Sequence, residues 1–81
     1  MTMNEKMINE QFLVETINAS EEEKRVLKTI GIDEGVVITI LGKGHIEGSI
    51  IVLSNNIILQ INPYFIKKIN GSLVNEIKKT K

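Results

Sequence analysis

The sequence predicts a small, mainly β domain in which about five strands close into a barrel, with one α-helix after the first strand and a short helical turn before the last. The apolar share of 42% is carried mainly by isoleucine, whereas aromatic residues make up only 4%. β-Branched side chains favour extended backbone, and Gly and Asn turn signals separate the apolar runs. A chain of 81 residues has room for one core.

The first strand is predicted at Phe12–Ala19. Strict alternation would place Phe12 and Val14 on one face and Leu13 and Ile17 on the other. Because both faces carry apolar residues, we expect each face to be partly covered, as in a small barrel.

A helix is predicted to begin at Ser20, because Ser20 and Glu23 have the spacing of a capping box. Three glutamates in its first turn suit the positive end of the helix dipole. Gly31 can adopt the left-handed conformation that ends a helix. One stripe of the helix is expected to pack on the sheet, formed by Val26, Leu27 and Ile30.

The second half of the chain alternates apolar runs with turn signals, which predicts strands at Val36–Leu41, Ser49–Leu53, Ile57–Ile61 and Ser72–Ile77. The glycine-rich segment Gly42–Gly48 is predicted to be a loop, and Asn55-Asn56 a tight hairpin turn. Asn62-Pro63 has the pattern of a helix N-cap followed by Pro at the first helical position, and this predicts a helical turn through Ile69.

Three regions follow from these elements. Residues 1–11 are polar and irregular, so they are predicted to be a flexible lead-in. Residues 12–77 are expected to form the folded domain, and residues 78–81, which are Lys-rich, a solvated tail.

Charge and composition exclude several classes of function. Ten basic and ten acidic residues give no net charge, which disfavours a nucleic-acid partner. The absence of cysteine excludes disulfides and thiolate metal sites. No signal peptide or membrane-spanning run is present. We therefore expect a cytoplasmic protein, with a peripheral position at the inner face of the membrane if its partner is membrane-bound.

No catalytic, cofactor-binding or metal-binding constellation is predicted. His45 and Glu47 alone are too few for a divalent metal, so His45 is interpreted as a surface-loop residue. The three glycines of its loop lack the P-loop pattern. The loop tip remains a candidate recognition site, because binding residues collect on exposed loops.

The candidate partner-binding residues lie on the helix, in this loop and after the proline. The helix surface opposite the apolar stripe carries charges of both signs at helical spacing. Such a surface is commonly a solvated face with weak ion pairs, and the alternative is a docking surface. Tyr64 is a candidate aromatic anchor, whereas Phe65 is expected in the core. The full candidate set is Glu22, Arg25, Lys28, His45 and Tyr64.

Three segments resemble the FeoA family. Arg25–Gly35 looks like the family pattern R-L-x-x-L-G-(I/L)-x-x-G, Ser54–Leu59 is similar to its hairpin, and Ile66–Ile69 occupies the place of A-x-x-I. This resemblance implies an SH3-like barrel and a non-catalytic accessory or regulatory role in ferrous iron transport. The implied partner is the cytoplasmic G-domain region of the FeoB transporter. An association with transition metal ions is implied only by the resemblance, and no bound iron is predicted.

Other functions stay open at this point. The same fold could serve as an SH3-like interaction domain related to those of metal-dependent transcriptional repressors, or as a small nucleic-acid-binding barrel. A subunit that shares an active site with another chain is a further alternative, for which the sequence offers no positive sign. Self-association into a homo-oligomer is also open.

Overall fold

The structure, a computed structural model, describes residues 1–75, which form one five-stranded antiparallel sheet with two helices between its strands; Val74 and Asn75 are also helical. The strands are hydrogen-bonded in the order β4-β3-β2-β1-β5. A 3₁₀ turn, Glu5–Met7, precedes the first strand. The elements are β1 (Gln11–Ile17), α1 (Glu21–Thr29), β2 (Val37–Lys43), β3 (Ile50–Ser54), β4 (Ile57–Ile61), α2 (Pro63–Ile66) and β5 (Ile69–Leu73).

The predicted fold class is confirmed: the domain is mainly β, α1 lies between the first two strands, and a short helix precedes the last. The sheet itself is open, because β4 and β5 lie at its two edges and do not pair with each other. Among residues 1–75, neither helix is long or apolar enough to cross a bilayer.

The core lies on one face of the sheet and is filled almost entirely by aliphatic side chains. Phe12 is its one fully buried ring among the described residues. The complete set of buried apolar residues is Met3, Phe12, Val14, Ile17, Leu27, Ile32, Ile38, Ile40, Ile50, Val52, Ile61, Ile66 and Ile69.

The prediction that Ile17 shares a face with Leu13 is wrong. Ile17 is only 4% exposed and joins Phe12 and Val14 in the core. The pairing of β1 with β5 shifts register between Val14 and Thr16. A bulge at this point inserts one residue, which reverses the alternation and turns Ile17 inward.

Helix α1 begins and ends as predicted. The Ser20 hydroxyl accepts from the amide of Glu23, and the Glu23 carboxylate accepts from the amide of Ser20, both at 3.1 Å. Gly31 takes a φ of 91° just beyond the helix, a conformation that glycine adopts without strain.

The predicted apolar stripe on α1 needs correction. Leu27 is buried, but Val26 is 56% exposed and Ile30 is 40% exposed. Successive helical residues are about 100° apart, so Val26 points well away from Leu27. The helix therefore docks through Leu27 and through Ile32, the residue that follows Gly31 in the chain.

The N-terminal segment lies on the sheet, which its polar composition did not indicate. Met3 is 2% exposed and belongs to the core, and Met7 packs against that core. The Met1 amino group donates to the carbonyl of Gly71 at 3.0 Å, and the Gly71 amide donates to the Met1 carbonyl at 2.8 Å.

The last strand begins three residues earlier than predicted, at Ile69, so that Asn70 and Gly71 lie inside β5. A Cβ atom at Gly71 would collide with the Leu13 carbonyl oxygen and would come within 2.7 Å of the Phe12 ring. Glycine here allows close packing and does not mark a turn. The strand also ends earlier than predicted, at Leu73, because Val74 and Asn75 are helical. The rest of the predicted strand, to Ile77, and the predicted tail lie outside the described residues.

The Gly71→Ala substitution tests this close approach. We expect it to lower the free energy of unfolding by about 1–3 kcal/mol, because the added methyl group overpacks the contact between β5 and β1. Gly42→Ala is the matched control, since a Cβ atom at Gly42 would meet nothing within 4 Å, and its effect should stay within about 0.5 kcal/mol. Urea titration of both variants measures the difference, and equal stability of the two would contradict the packing argument.

Candidate partner-binding site

A shallow apolar groove with an acidic rim lies between α1 and α2. It has a volume of 390 Å³ and is lined by Ser20, Glu22, Glu23, Val26 and Phe65. Val26 is available because the helix docks through Leu27, and Phe65 forms a firm wall because it packs partly against the core. An exposed aliphatic side chain beside an aromatic ring is a typical seat for an apolar anchor from a partner.

Tyr64 adjoins two of the residues that line the groove, Glu23 and Phe65, and links the two helices. Its hydroxyl donates to the Glu23 carboxylate at 2.7 Å. The Lys68 ammonium lies 4.8 Å from the centre of the Tyr64 ring, within the range of a cation–π interaction. The rings of Tyr64 and Phe65 are 5.1 Å apart and meet edge to face at 81°. These contacts hold an otherwise half-exposed tyrosine in one orientation.

The same contact shifts the ionisation of both partners. The hydrogen bond from Tyr64 lowers the pKa of Glu23, and the bonds to Ser20 lower it further. The bond to Glu23 raises the pKa of Tyr64. Because the Glu23 pKa is lowered, its contribution to stability is present above the ordinary glutamate pKa and is lost as the pH falls through the lowered pKa. Because the Tyr64 pKa is raised, its contribution is present below the ordinary tyrosine pKa and is lost as the pH rises through the raised pKa. The link is therefore intact at neutral pH.

A second groove, of 270 Å³, is lined only by charged side chains from α1 and the following turn, namely Glu21, Lys24, Arg25, Lys28, Asp33 and Glu34. The ammonium of Lys24 lies 4.0 Å from carboxylate oxygens of Glu21 and of Glu34, and that of Lys28 lies 3.9 Å from Asp33. Pairs this long and this exposed add little stability. In this groove, however, Lys24 and Lys28 each lie beside a carboxylate. The positive charges therefore do not form the continuous basic stripe that a nucleic-acid-binding surface needs.

The predicted site residues fall in three places. Glu22 lines the apolar groove and Tyr64 contacts the lining residue Glu23, whereas Arg25 and Lys28 line the charged groove. His45 is exposed in the loop between β2 and β3, and its backbone amide donates to the Gln60 side chain at 2.7 Å. Whether these residues bind a partner remains a prediction.

Sequence reasoning missed the apolar part of the groove. The apolar pattern predicts that Val26 packs on the sheet, because Val26 is next to Leu27 in the chain. The angular offset between the two residues is the signal that could have shown that only one of them can face the sheet. Phe65 is half-buried and lines the groove with the part of its ring that the core leaves open.

The described part of the chain offers no ready place for a metal ion. Across residues 1–75, no three side chains of His, Asp or Glu converge on one point.

Two solved structures have the same fold as this chain. One is the crystal structure of an iron uptake regulatory protein (FeoA), which has a TM-score of 0.71 and 16% identity over 83% of this chain and 86% of that one. The other is the solution structure of the FeoA protein from Chlorobium tepidum, which has a TM-score of 0.74 and 17% identity over 91% of this chain and 70% of that one. No family model and no curated protein matches the sequence.

The Tyr64→Phe variant tests the hydrogen bond between the Tyr64 hydroxyl and the Glu23 carboxylate. Removing the hydroxyl takes away the main cause of the lowered Glu23 pKa, so the carboxyl should titrate at a higher pH than in the wild type. A carboxyl-carbon NMR titration measures both midpoints. His45→Gln is the control and should leave the Glu23 midpoint in place. An unchanged midpoint in Tyr64→Phe would show that the hydrogen bond does not form in solution.

Proposed function

We propose that this chain is a non-catalytic accessory protein of ferrous iron uptake that binds the cytoplasmic G-domain region of a FeoB-type transporter. The observation that carries the proposal is the shared fold with two FeoA proteins, one of them described as an iron uptake regulatory protein. The resemblance of Arg25–Gly35 and of the β3–β4 hairpin to FeoA segments supports it. On this proposal the protein works in the cytoplasm and meets the membrane only through the transporter.

The apolar groove is the part of the molecule best suited to hold this partner. Val26 is more than half exposed. Exposure of an apolar side chain to water is unfavourable, and burial under a partner side chain would remove this cost. The Phe65 ring supplies a firm second wall. Glu22 and Glu23 on the rim favour a partner segment in which a basic residue adjoins the apolar anchor. Of the predicted contact residues, Glu22 lines this groove and Tyr64 lies beside it, while Arg25, Lys28 and His45 lie outside it.

Val26→Lys is the substitution that tests this binding mode. It should weaken binding to the detergent-solubilised transporter by about 10–100-fold, since it removes roughly 1.5–3 kcal/mol of apolar burial and places a charge in the groove. Val37→Lys is the matched control, because Val37 is also a surface valine, 44% exposed, and lies on β2 outside the groove. Binding is measured by titration with the labelled full chain.

The transport role is tested in cells. Deleting the gene should lower uptake of iron(II), and the wild-type chain and Val37→Lys should restore it while Val26→Lys restores it poorly. Normal uptake in the deletion strain, together with no association with the transporter, would remove the proposed function. Restored uptake by Val26→Lys would instead keep the function and reject the groove as its site.

A further inference from the structure

The outer edge of β4 is an unprotected strand edge. Ile57 is 54% exposed and Ile58 is 67% exposed, the largest value among the exposed apolar side chains of the described chain. β4 contains no charged residue and no proline, and its pairing with β3 runs without a bulge. Charged side chains, proline and bulges are the features by which proteins usually keep a free edge from pairing with another strand, and β4 has none of them.

The hairpin fixes which backbone groups of β4 face outward. Asn55 and Asn56 have φ values of 54° and 64°, as in a two-residue type I′ turn, and this turn is closed by the pair Ser54 and Ile57. Hydrogen-bonded and non-hydrogen-bonded pairs alternate along an antiparallel ladder. The amide and carbonyl groups of Ile58 and Gln60 therefore point away from β3.

Nothing in the described chain takes up these outward groups. None of the turn, loop or cap backbone hydrogen bonds of residues 1–75 involves a residue of β4. The opposite edge of the sheet is different, because Met1 exchanges two backbone hydrogen bonds with Gly71 of β5. The fold thus covers one edge at this position and leaves the other open.

We infer that the β4 edge binds β4 of a second copy of this chain. The two strands run antiparallel and are related by a two-fold axis that passes between the Leu59 residues of the two copies. In this register Ile58 stands opposite Gln60 of the second copy, so the outward backbone groups of both residues meet as hydrogen-bonded pairs. Leu59 faces Leu59, and Ile57 faces Ile61. The register satisfies the pattern of the ladder and the two-fold symmetry together.

A second copy suits this edge better than an unrelated strand for two reasons. When the segment Ile57–Ile61 runs antiparallel to itself, Ile57 pairs with Ile61 and Leu59 with Leu59, so these pairs are apolar on both sides. Its one polar side chain, Gln60, stands opposite Ile58, and the side-chain carbonyl of Gln60 already accepts hydrogen bonds from His45 and Ser49. The whole chain carries no net charge, so two copies approach without net repulsion. Leu53, the cross-strand neighbour of Ile58, is only partly buried and extends this apolar surface onto β3.

The oligomeric state of the full chain tests the inference. Light scattering and sedimentation should give twice the monomer mass at high micromolar concentration. Ile58→Lys should raise the dissociation constant at least tenfold, and because Ile58 is largely exposed the variant should stay folded by circular dichroism. Val26→Lys, which places the same charge on the helix, should leave the dimer intact and so separates this edge from the groove.

The register is tested by single cysteines, which the natural chain lacks. Leu59→Cys should form a disulfide between copies under mild oxidation, because a non-hydrogen-bonded pair brings the two Cα atoms to about 4.5 Å. Ile57→Cys is the control, since its symmetry mate lies about 14 Å away along the strand, and it should crosslink at least tenfold more slowly. A monomer at every concentration, an assembly larger than two, an unaffected Ile58→Lys dimer or equal crosslinking at both positions would each overturn the inference.

Discussion

The structure depends on enclosing a core of stiff aliphatic side chains with one face of a single sheet. Isoleucine and valine have few rotamers, so the backbone rather than the side chains must adapt to fill space. β-Bulges bend the strands that carry them. One register shift lies between Val14 and Thr16 in β1, and a second lies between Ile40 and Gly42 in β2. Where β5 crosses Phe12, Gly71 removes the side chain that would otherwise hold the strands apart.

The apolar groove between α1 and α2 exists because only one side of α1 packs into this core. A nine-residue helix has marginal stability of its own, and here it is held by Leu27, by the capping box at Ser20 and by the contact of Glu23 with Tyr64. Val26 is left outside the core. The same short helix thus completes the fold with one side and offers apolar surface with another.

The sequence predicted the features that are decided by residues close together in the chain. The capping box at Ser20, the Asn62-Pro63 helix start and the Asn55-Asn56 turn each depend on side chains and φ preferences within about four positions. Consequently α1 and β4 lie where the pattern placed them and α2 begins where predicted, although it ends at Ile66 and not at Ile69. The SH3-like fold class follows from the order of these elements.

Features decided by distant contacts could not be derived in this way. The inward turn of Ile17 depends on a bulge against β5, more than fifty residues later. Gly71 resembles a turn signal until Leu13 and Phe12 are seen beside it. Met3 looks like part of a polar lead-in because its neighbours in the chain are polar, although it is buried in the core. In each case the deciding partner is brought near only by the complete sheet.

The two surfaces that face outward are governed by different physical terms. At the groove, Glu22 and Glu23 place negative charge beside apolar surface, so association with the proposed partner would be steered by electrostatics and slowed by salt. The β4 edge carries no charge, and the proposed pairing of two copies there would depend on backbone hydrogen bonds and apolar contact, which salt screens little. The two proposed binding modes therefore place different physical requirements on their partners, and their salt dependence should differ accordingly.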